Sequence, residues 1–247
     1  MAGHSHWARI KRSKAVVDAR RGRAWSKLAR AVIMAARGGG DPEANLALRY
    51  AIDAAKAANM PKDTIERAIK KGTGELAGES IEELVYEGYG PGGAAVLLKV
   101  LTDNRNRTAG EIRNLFERHG GNLGSTNSVA WMFSSRGVFV VSSRAATEER
   151  LTEIALEAGA DDVRQQGDSF EISCEPAVYE RVRRALAEAG IECENAELTM
   201  APSATVHLSG ADAERMLKLF DALEEHDDVQ NAYSNFEVSD EEMARLT

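Results

Sequence analysis

The hydrophobic pattern of this chain changes at a short polar segment, residues 73–80, and no other feature constrains the fold as strongly. Before that segment, as in residues 25–36, apolar residues recur at the spacing that places them on one side of a helix. After it, apolar runs typical of strands, such as 82–88, 94–101 and 138–142, alternate with helical segments. The sequence therefore predicts a helical N-terminal part followed by a mixed α/β part.

Three helices are predicted in the N-terminal part. The first ends at the three glycines of residues 38–40, and the second follows Asp41-Pro42 and runs to about Ala58. The third starts near Pro61, which suits a first helical turn, and ends at Gly72.

The α/β part predicts two units with the strand and helix order of a ferredoxin-like domain. Residues 138–200 follow the order β-α-β-β-α-β and form a complete unit. Residues 94–133 and 204–238 each follow the order β-α-β, so together they would form a second unit with the first inserted in it. Three consecutive domains are the alternative, which would leave both flanking segments with incomplete sheets.

The predicted fold class is therefore α+β multidomain, with a three-helix N-terminal domain and two ferredoxin-like α/β domains, one inserted in the other. The predicted boundaries are 1–75 for the basic helical domain, 80–134 with 203–240 for the discontinuous middle domain, and 136–201 for the inserted domain.

Charge is distributed unevenly between these parts. Residues 1–72 hold 16 Lys and Arg against 6 Asp and Glu, while the other 175 residues hold 15 against 33. Such asymmetry favours a polyanionic partner for the basic part, since solvated helix faces usually carry both signs. The alternative is a basic helical surface that has no partner.

Arginine and lysine side chains suit phosphate groups, and arginine can donate two parallel hydrogen bonds to one phosphate. A basic stripe lies opposite the apolar side of the first helix, and a basic tail precedes it. The predicted nucleic-acid-binding residues are Lys11, Arg12, Lys14, Arg20, Arg21, Arg23, Lys27, Arg30 and Arg37.

Trp7, in the same tail, is a candidate for stacking on an unpaired base. Its alternative role is that of an apolar anchor that folds the tail back onto the helices.

Arg105 and Arg107 are candidate phosphate contacts because they stand at the start of a predicted helix. There they oppose the positive end of the helix dipole, which requires compensation by an anion or by neighbouring carboxylates. Pairing with acids of the body such as Glu82 or Glu87 is the alternative, and the abundance of acids favours it. The third helix presents a similar choice, and solvated ion pairs with Asp63 and Glu66 are favoured for its lysines and arginines.

The sequence predicts no enzyme, no cofactor and no metal site. Residues 88–93 match the spacing of a dinucleotide-binding loop but lead into a strand, so a hairpin turn is predicted. The histidines lack metal-ligand spacing, and Cys174 and Cys193 are too far apart for a CxxC element. Acidic residues such as Glu87 and Asp228 are expected to be solvated.

No apolar run approaches the roughly 18 residues of a membrane span, and the N-terminus lacks the apolar region of a secretory signal. A cytoplasmic protein without a membrane partner is therefore predicted. The oligomeric state is left open, with a monomer slightly favoured.

Several long stretches resemble the YebC/PmpR family. They read AGHSHWARIKRSKAVVDARRGRAWSKLAR, ARGGGDPEANLALRYAIDAAKAANMPKDTIERAIKKGTGEL, YEGYGPGGAAVLLKVLTDNRNRTAGEIR, HGGNLGSTNSVAWMF and DDVQNAYSNFE. The resemblance implies a helical domain followed by two α/β domains, no enzymatic activity, and a DNA-binding transcriptional regulator in the cytoplasm. It also implies an alternative, since relatives that include a mitochondrial branch act as ribosome-associated translation factors.

The predicted function is a non-enzymatic nucleic-acid-binding regulator of gene expression. A ribosome-associated factor that binds ribosomal or transfer RNA is the first alternative, because a basic arm with Trp7 suits RNA. An enzyme or sensor for a phosphorylated small molecule, acting through Arg105 and Arg107, is the second.

Overall fold

A computed structural model of the protein describes residues 19–77 and 80–246, with the side chains of 19–23 and 240 outside the described part. Its N-terminal part contains the helices α1 (Ala19–Ala36), α2 (Leu46–Ala57) and α3 (Lys62–Gly72). The elements that follow are β1 (Glu82–Tyr89), β2 (Ala95–Thr102), α4 (Arg105–Arg118), β3 (Asn122–Leu123), β4 (Phe133–Ser142), α5 (Glu148–Glu157), β5 (Asp162–Gln166), β6 (Ser169–Cys174), α6 (Tyr179–Glu188), β7 (Asn195–Pro202), β8 (Val206–Leu208), α7 (Gly210–Glu225), β9 (Val229–Ser234), β10 (Phe236–Val238) and α8 (Asp240–Leu246). The predicted α+β fold class is confirmed.

The N-terminal helices form a bundle in which α1 packs on both α2 and α3. Val32 of α1 is fully buried, as are Leu48 and Ala55 of α2, while Trp25 packs at the edge of this core and donates from Nε1 to the Ala58 carbonyl at 2.9 Å. Asn45 caps α2 by accepting from Leu48 N at 3.1 Å. The buried apolar stripe predicted for the first helix is confirmed.

Two antiparallel sheets and one parallel strand pair make up the rest. The strands of the middle sheet are ordered β3-β1-β2-β9, and those of the second sheet β5-β6-β4-β7. The second order is that of a ferredoxin-like unit. Its strands all lie between β3 and β9 in the chain, so this unit is inserted in the one that contains the middle sheet.

The two faces of the middle sheet are covered differently. Helices α4 and α7 pack on the face that carries Val96, Leu98 and Val100. On the opposite face, which we call the outer face, the segment 124–132 packs near Leu97 and Tyr233. In the inserted unit, Phe139 stacks on Tyr179 at 4.8 Å between ring centroids, among the residues of α5 and α6.

The order β-α-β predicted for residues 94–133 places a strand at its end, at about 128–133, and this prediction is wrong. A single 3-10 turn, Ala130–Met132, stands there, and the strand begins at Phe133. The reason is the carboxylate of Glu87, which accepts hydrogen bonds from the N–H groups of Asn127, Val129 and Ala130 and removes them from strand pairing.

The order β-α-β predicted for residues 204–238 ends in one strand, but in the structure that strand is broken at Asn235. The buried Asn235 side chain accepts from Ala95 N at 2.7 Å, and its carbonyl accepts from Val206 N at 2.8 Å. As a result β10 leaves the middle sheet and pairs in parallel with β8. The middle sheet uses β1 instead of β8, contrary to our expectation for residues 204–238.

Residues 88–93 form the predicted hairpin turn, which joins β1 to β2 through a 3-10 turn. Both cysteines are free thiols, and burial raises the pKa of Cys174 to about 11. Within 19–77 and 80–246, no helix is long and apolar enough to cross a membrane.

Gly72 allows α1 and α3 to approach closely. A Cβ atom at this position would lie 2.6 Å from the Cβ of Ala36 and also collide with the carbonyl oxygen of Ile33. Because that carbonyl belongs to the helix backbone, it cannot move aside cheaply. We predict that Gly72→Ala lowers the free energy of unfolding, measured by urea denaturation with circular dichroism, by about 1–3 kcal/mol.

Gly110→Ala is the control for the intrinsic helix preference of alanine. Gly110 lies within α4 and nothing would contact its added Cβ within 4 Å, so this change should stabilise the protein by up to about 1 kcal/mol. A Gly72→Ala protein as stable as the wild type would show that the two helices can separate without cost.

Candidate nucleic-acid interface

The predicted binding residues fall into three groups. Trp7, Lys11, Arg12 and Lys14 lie outside the described residues. Arg20, Arg21 and Arg23 lie in the first turns of α1, and their side chains are also outside the described part. Lys27, Arg30 and Arg37 are described, and their surroundings differ.

Lys27 and Arg30 point toward the rest of the chain. Lys27 Nζ donates to the carbonyl of Glu224 in the last turn of α7. Arg30 Nη1 donates to the carbonyl of Asp227 at 2.7 Å and forms an ion pair with Asp228 Oδ1 at 2.8 Å. These two cations therefore join the N-terminal bundle to the middle sheet, and they are not free on an open surface.

Asp228 is the centre of this junction. Its side chain is only 2% exposed, and its Oδ2 accepts from Thr108 Oγ1 at 2.6 Å and from Arg107 Nη2 at 2.8 Å. Its carbonyl accepts from Leu101 N at 2.9 Å. One residue thus links α1, the start of α4, the end of β2 and the loop between α7 and β9.

The electrostatics of the junction favour the charged forms. Burial alone raises the pKa of Asp228, but the hydrogen bonds from Thr108 and Arg107 and the charge of Arg30 outweigh it, so the pKa lies below the usual aspartate range. Hydrogen bonds to Asp228 and Asp103 raise the pKa of Arg107.

The two arginines at the start of α4 separate into different environments. Arg107 pairs with Asp103 at 2.9 Å as well as with Asp228. A longer ion pair joins Arg107 to Glu111 at 3.9 Å. Ion pairing is therefore found for Arg107, although with these three acids and not with Glu82 or Glu87. The Arg105 side chain is exposed and forms no ion pair with any described residue, so it remains available to an anion.

A second contact joins the N-terminal bundle to the inserted unit. The Tyr50 hydroxyl of α2 donates to the Glu180 carboxylate of α6. Burial, followed by this hydrogen bond and the Glu180 charge, raises the pKa of Tyr50. The bundle is thus attached to both α/β units, which fixes the direction in which its free surface faces.

Cations without partners lie elsewhere on the bundle. Five side chains are exposed and form no ion pair with other described residues: Arg37, Arg49, Arg67, Lys70 and Lys71. The sequence predicts solvated ion pairs for the cations of the third helix, and this prediction is wrong for Arg67, Lys70 and Lys71. Among the described residues of that helix, only Lys62 and Glu66 form an ion pair, at 3.6 Å. These exposed cations can bind phosphate without first losing an intramolecular partner. We call the five the free cationic set.

Sequence reasoning did not single out Arg49, which lies on α2. The acid four residues further on, Asp53, pairs with Lys56 at 4.0 Å. Sequence reasoning also missed Asp228, which looks like one of many loop acids in this chain.

One cluster has donor atoms that a metal ion could use. Carboxylate and imidazole atoms of Glu111, His226 and Asp228 lie within 4.8 Å of one another. However, Arg30 and Arg107 hold the Asp228 carboxylate, and their charges would repel a cation. His226 Nε2 lies 3.1 Å from Glu111 Oε2, so the histidine has a hydrogen-bond partner within the protein and needs no metal ion to explain its position.

The environment of His119 opposes its protonation. Burial, together with the charges of Arg118 and Lys218, lowers its pKa. A cationic imidazole at this helix end, although favourable to the helix dipole, is therefore disfavoured.

Two family models match the chain. The "TACO1/YebC protein N-terminal domain" matches residues 5–75, and the "TACO1/YebC second and third domain" matches residues 81–236. Together they cover the bundle and both sheets.

Full-length relatives are also similar to the chain. A "probable transcriptional regulatory protein" of Pelotomaculum thermopropionicum is 57% identical over 97% of this chain and 100% of its own length. One of Geobacter sulfurreducens is 53% identical over 100% of both chains. A crystal structure of a conserved hypothetical protein from Aquifex aeolicus superposes with a TM-score of 0.83 at 48% identity, covering 95% of this chain and 98% of that one.

We predict that Asp228→Asn lowers the free energy of unfolding by about 2–4 kcal/mol at pH 7, because it leaves Arg107 and Arg30 without their buried partner. The depressed pKa of Asp228 means that its stabilisation is complete above the ordinary aspartate pKa, about 3.9, and is lost as the pH falls through the folded value. The difference between the two proteins should therefore narrow in acid.

Asp227→Asn is the matched control, because this substitution removes the same charge one residue away, from a side chain that is exposed. It should change stability by less than about 0.5 kcal/mol. Equal stability of the Asp228→Asn and Asp227→Asn proteins at pH 7 would contradict the proposed junction.

Proposed function

Because the chain belongs to the TACO1/YebC family, we propose that it is a nucleic-acid-binding regulator of gene expression, acting as a DNA-binding transcriptional regulator. Relatives more than half identical over essentially the whole length carry the name "probable transcriptional regulatory protein". The proposal contains no catalytic step, and it includes the cytoplasmic location expected from the sequence.

The observation that carries the proposal is the free cationic set on the N-terminal bundle. Exposed arginines and lysines without ion-pair partners are the groups that replace counterions along a phosphate backbone. They lie on a bundle whose own core is small, while the acidic body behind it repels a polyanion. This division directs a nucleic acid to the bundle.

The predicted residues take different roles in this proposal. Arg20, Arg21 and Arg23 of α1, with Arg37 just after its end, bind phosphates. The preceding tail extends the contact through Lys11, Arg12 and Lys14, with Trp7 stacking on a base. The cations of α3 widen the surface. Lys27 and Arg30 hold the bundle in position against the body, because their described contacts are intramolecular.

The described residues of this interface are suited to binding the nucleic-acid backbone more than to recognising particular bases. Its described cations suit phosphate groups, which position a protein on a nucleic acid without reading the sequence. We therefore propose that affinity arises mainly from the backbone, and that it is strongly dependent on salt.

We predict that reversing three charges of α3, in Arg67→Glu/Lys70→Glu/Lys71→Glu, weakens nucleic-acid binding about 100-fold at 0.1 M salt. The slope of log K against log salt should fall by about 2–3, since each lost phosphate contact removes about 0.7–0.9. Fluorescence anisotropy with labelled duplex DNA, single-stranded DNA and RNA of equal length measures both quantities.

The control reverses Arg113, Lys218 and Arg184, three cations on the exposed surface of the body, and changes the net charge equally. It should bind within a few-fold of the wild type. A control as weak as the α3 variant would mean that only net charge matters, and an unchanged α3 variant would refute the proposed interface.

Reversal of Arg30 is unsuited to this test. A combined reversal of Arg23, Lys27 and Arg30 would not isolate the loss of phosphate contacts. The ion pair between Arg30 and Asp228 shows that such a variant would also break the junction between the bundle and the body.

A further inference from the structure

Trp131 is the most exposed large apolar side chain among the described residues, with 74% of its surface accessible. Its single polar atom is already satisfied, because Nε1 donates to the Ser128 carbonyl at 3.1 Å. What the side chain offers to a partner is therefore the flat face of the indole ring. Neither the family models nor the names of the relatives give this residue a role.

A buried carboxylate fixes the segment that carries this indole. Glu87, only 4% exposed, accepts from Asn127 N at 2.6 Å with Oε1, and from Val129 N and Ala130 N at 2.7 Å each with Oε2. Burying a carboxylate is costly unless charge-assisted hydrogen bonds compensate for it, as they do here. The three donors immediately precede Trp131, so Glu87 sets its position.

Apolar packing fixes the same segment from both sides of Trp131. Val129 and Phe133 are buried against Leu97 and Tyr233 on the outer face of the middle sheet. The indole is thus held out on an ordered backbone. Because the backbone is already ordered, a partner that stacks on the indole binds with little further loss of conformational entropy in this segment.

The stretch of chain that carries Trp131 is free of acidic residues. Residues 118–147 contain no Asp or Glu and three arginines, while about one residue in five is acidic in residues 73–247. It is the longest acid-free stretch after residue 72. Glu87, beneath the segment, is buried and accepts three backbone hydrogen bonds. On the adjoining outer face, burial and then the charge of Glu197 raise the pKa of Tyr233 to about 12.

The outer face of the sheet leads from Trp131 toward the basic bundle. Val85, Lys99 and Asn231 are paired across β1, β2 and β9, and alternation places them on the same face as Glu87 and Leu97. Val85 is 51% exposed. The segment that carries Trp131 covers one end of this face, and Asp228, joined to Arg30, precedes β9 at the other end.

We propose that Trp131 is a stacking platform for an unpaired base of a nucleic acid whose backbone is held by the N-terminal bundle. This inference rests on the proposed function and adds to it a preference for single-stranded or opened segments. Aromatic side chains on a sheet surface stack with bases of any sequence, and alanine substitution of such residues typically weakens binding.

The test compares Trp131→Ala and Trp131→Phe with the wild-type protein in anisotropy titrations. Trp131→Ala should bind single-stranded DNA and RNA about 5- to 100-fold more weakly with an unchanged salt slope, because no phosphate contact is lost. Trp131→Phe should retain most of the affinity. Binding of a fully paired duplex should be unaffected, and single strands should quench tryptophan emission of the wild type more than that of Trp131→Phe.

Leu156→Ala is the control for loss of an exposed apolar side chain, since Leu156 is 48% exposed on α5. If the wild type binds no nucleic acid, the proposed function itself fails. If the wild type binds and Trp131→Ala binds equally well, or if duplex and single strand weaken alike, the stacking platform is refuted while the function stands. Equal binding is also the outcome expected if Trp131 serves an apolar protein partner.

Glu87→Gln tests the positioning role of the carboxylate. It keeps the indole but loosens the segment, so single-strand affinity should fall by less than in Trp131→Ala. The double variant Glu87→Gln/Trp131→Ala should bind no more weakly than Trp131→Ala alone, because Glu87 acts only through the indole. An additive loss in the folded double variant, with folding checked by circular dichroism, would contradict this role.

Discussion

The arrangement of the whole molecule depends on one buried carboxylate, that of Asp228. It is held by Arg107 and Thr108 from within the middle unit and by Arg30 from the N-terminal bundle. A carboxylate so buried is stable only while these partners are present. Asp228 therefore does more than neutralise charge, since it sets where the bundle stands relative to the sheets.

This junction resolves an apparent conflict in the sequence. A strongly basic segment and an acidic body in one chain could neutralise each other over a broad surface and leave nothing for a partner. Instead, specific contacts join them: Lys27 and Arg30 reach the end of α7 and the following loop, and Tyr50 reaches Glu180. The free cationic set stays outside these contacts. The body orients the bundle without covering it, and this leaves a surface that can bind a polyanion.

The sequence predicts the three N-terminal helices, the inserted ferredoxin-like unit and the charge division well, because each depends on local periodicity and composition. The prediction fails where a side chain accepts hydrogen bonds from backbone N–H groups that are distant in the sequence, so that these groups do not pair in a strand. Glu87 converts a predicted strand into an ordered segment, and Asn235 breaks β9 from β10. The sequence around Glu87 is like that of a solvated acid, and the sequence around Asn235 is like that of a turn residue. No local pattern therefore indicates the role of either residue. Asp228 was missed for the same reason, since its partners come from three other segments.

Ultraviolet cross-linking of the full chain to nucleic acid, followed by mass spectrometric identification of the linked peptides, shows which segments lie against the bound strand. We predict linked peptides from the residues before 73 and from the segment that contains Trp131, and none from α5 or α6 of the inserted unit. Linked peptides confined to the inserted unit, with the N-terminal helices unmarked, would show that the basic bundle is not the nucleic-acid-binding surface.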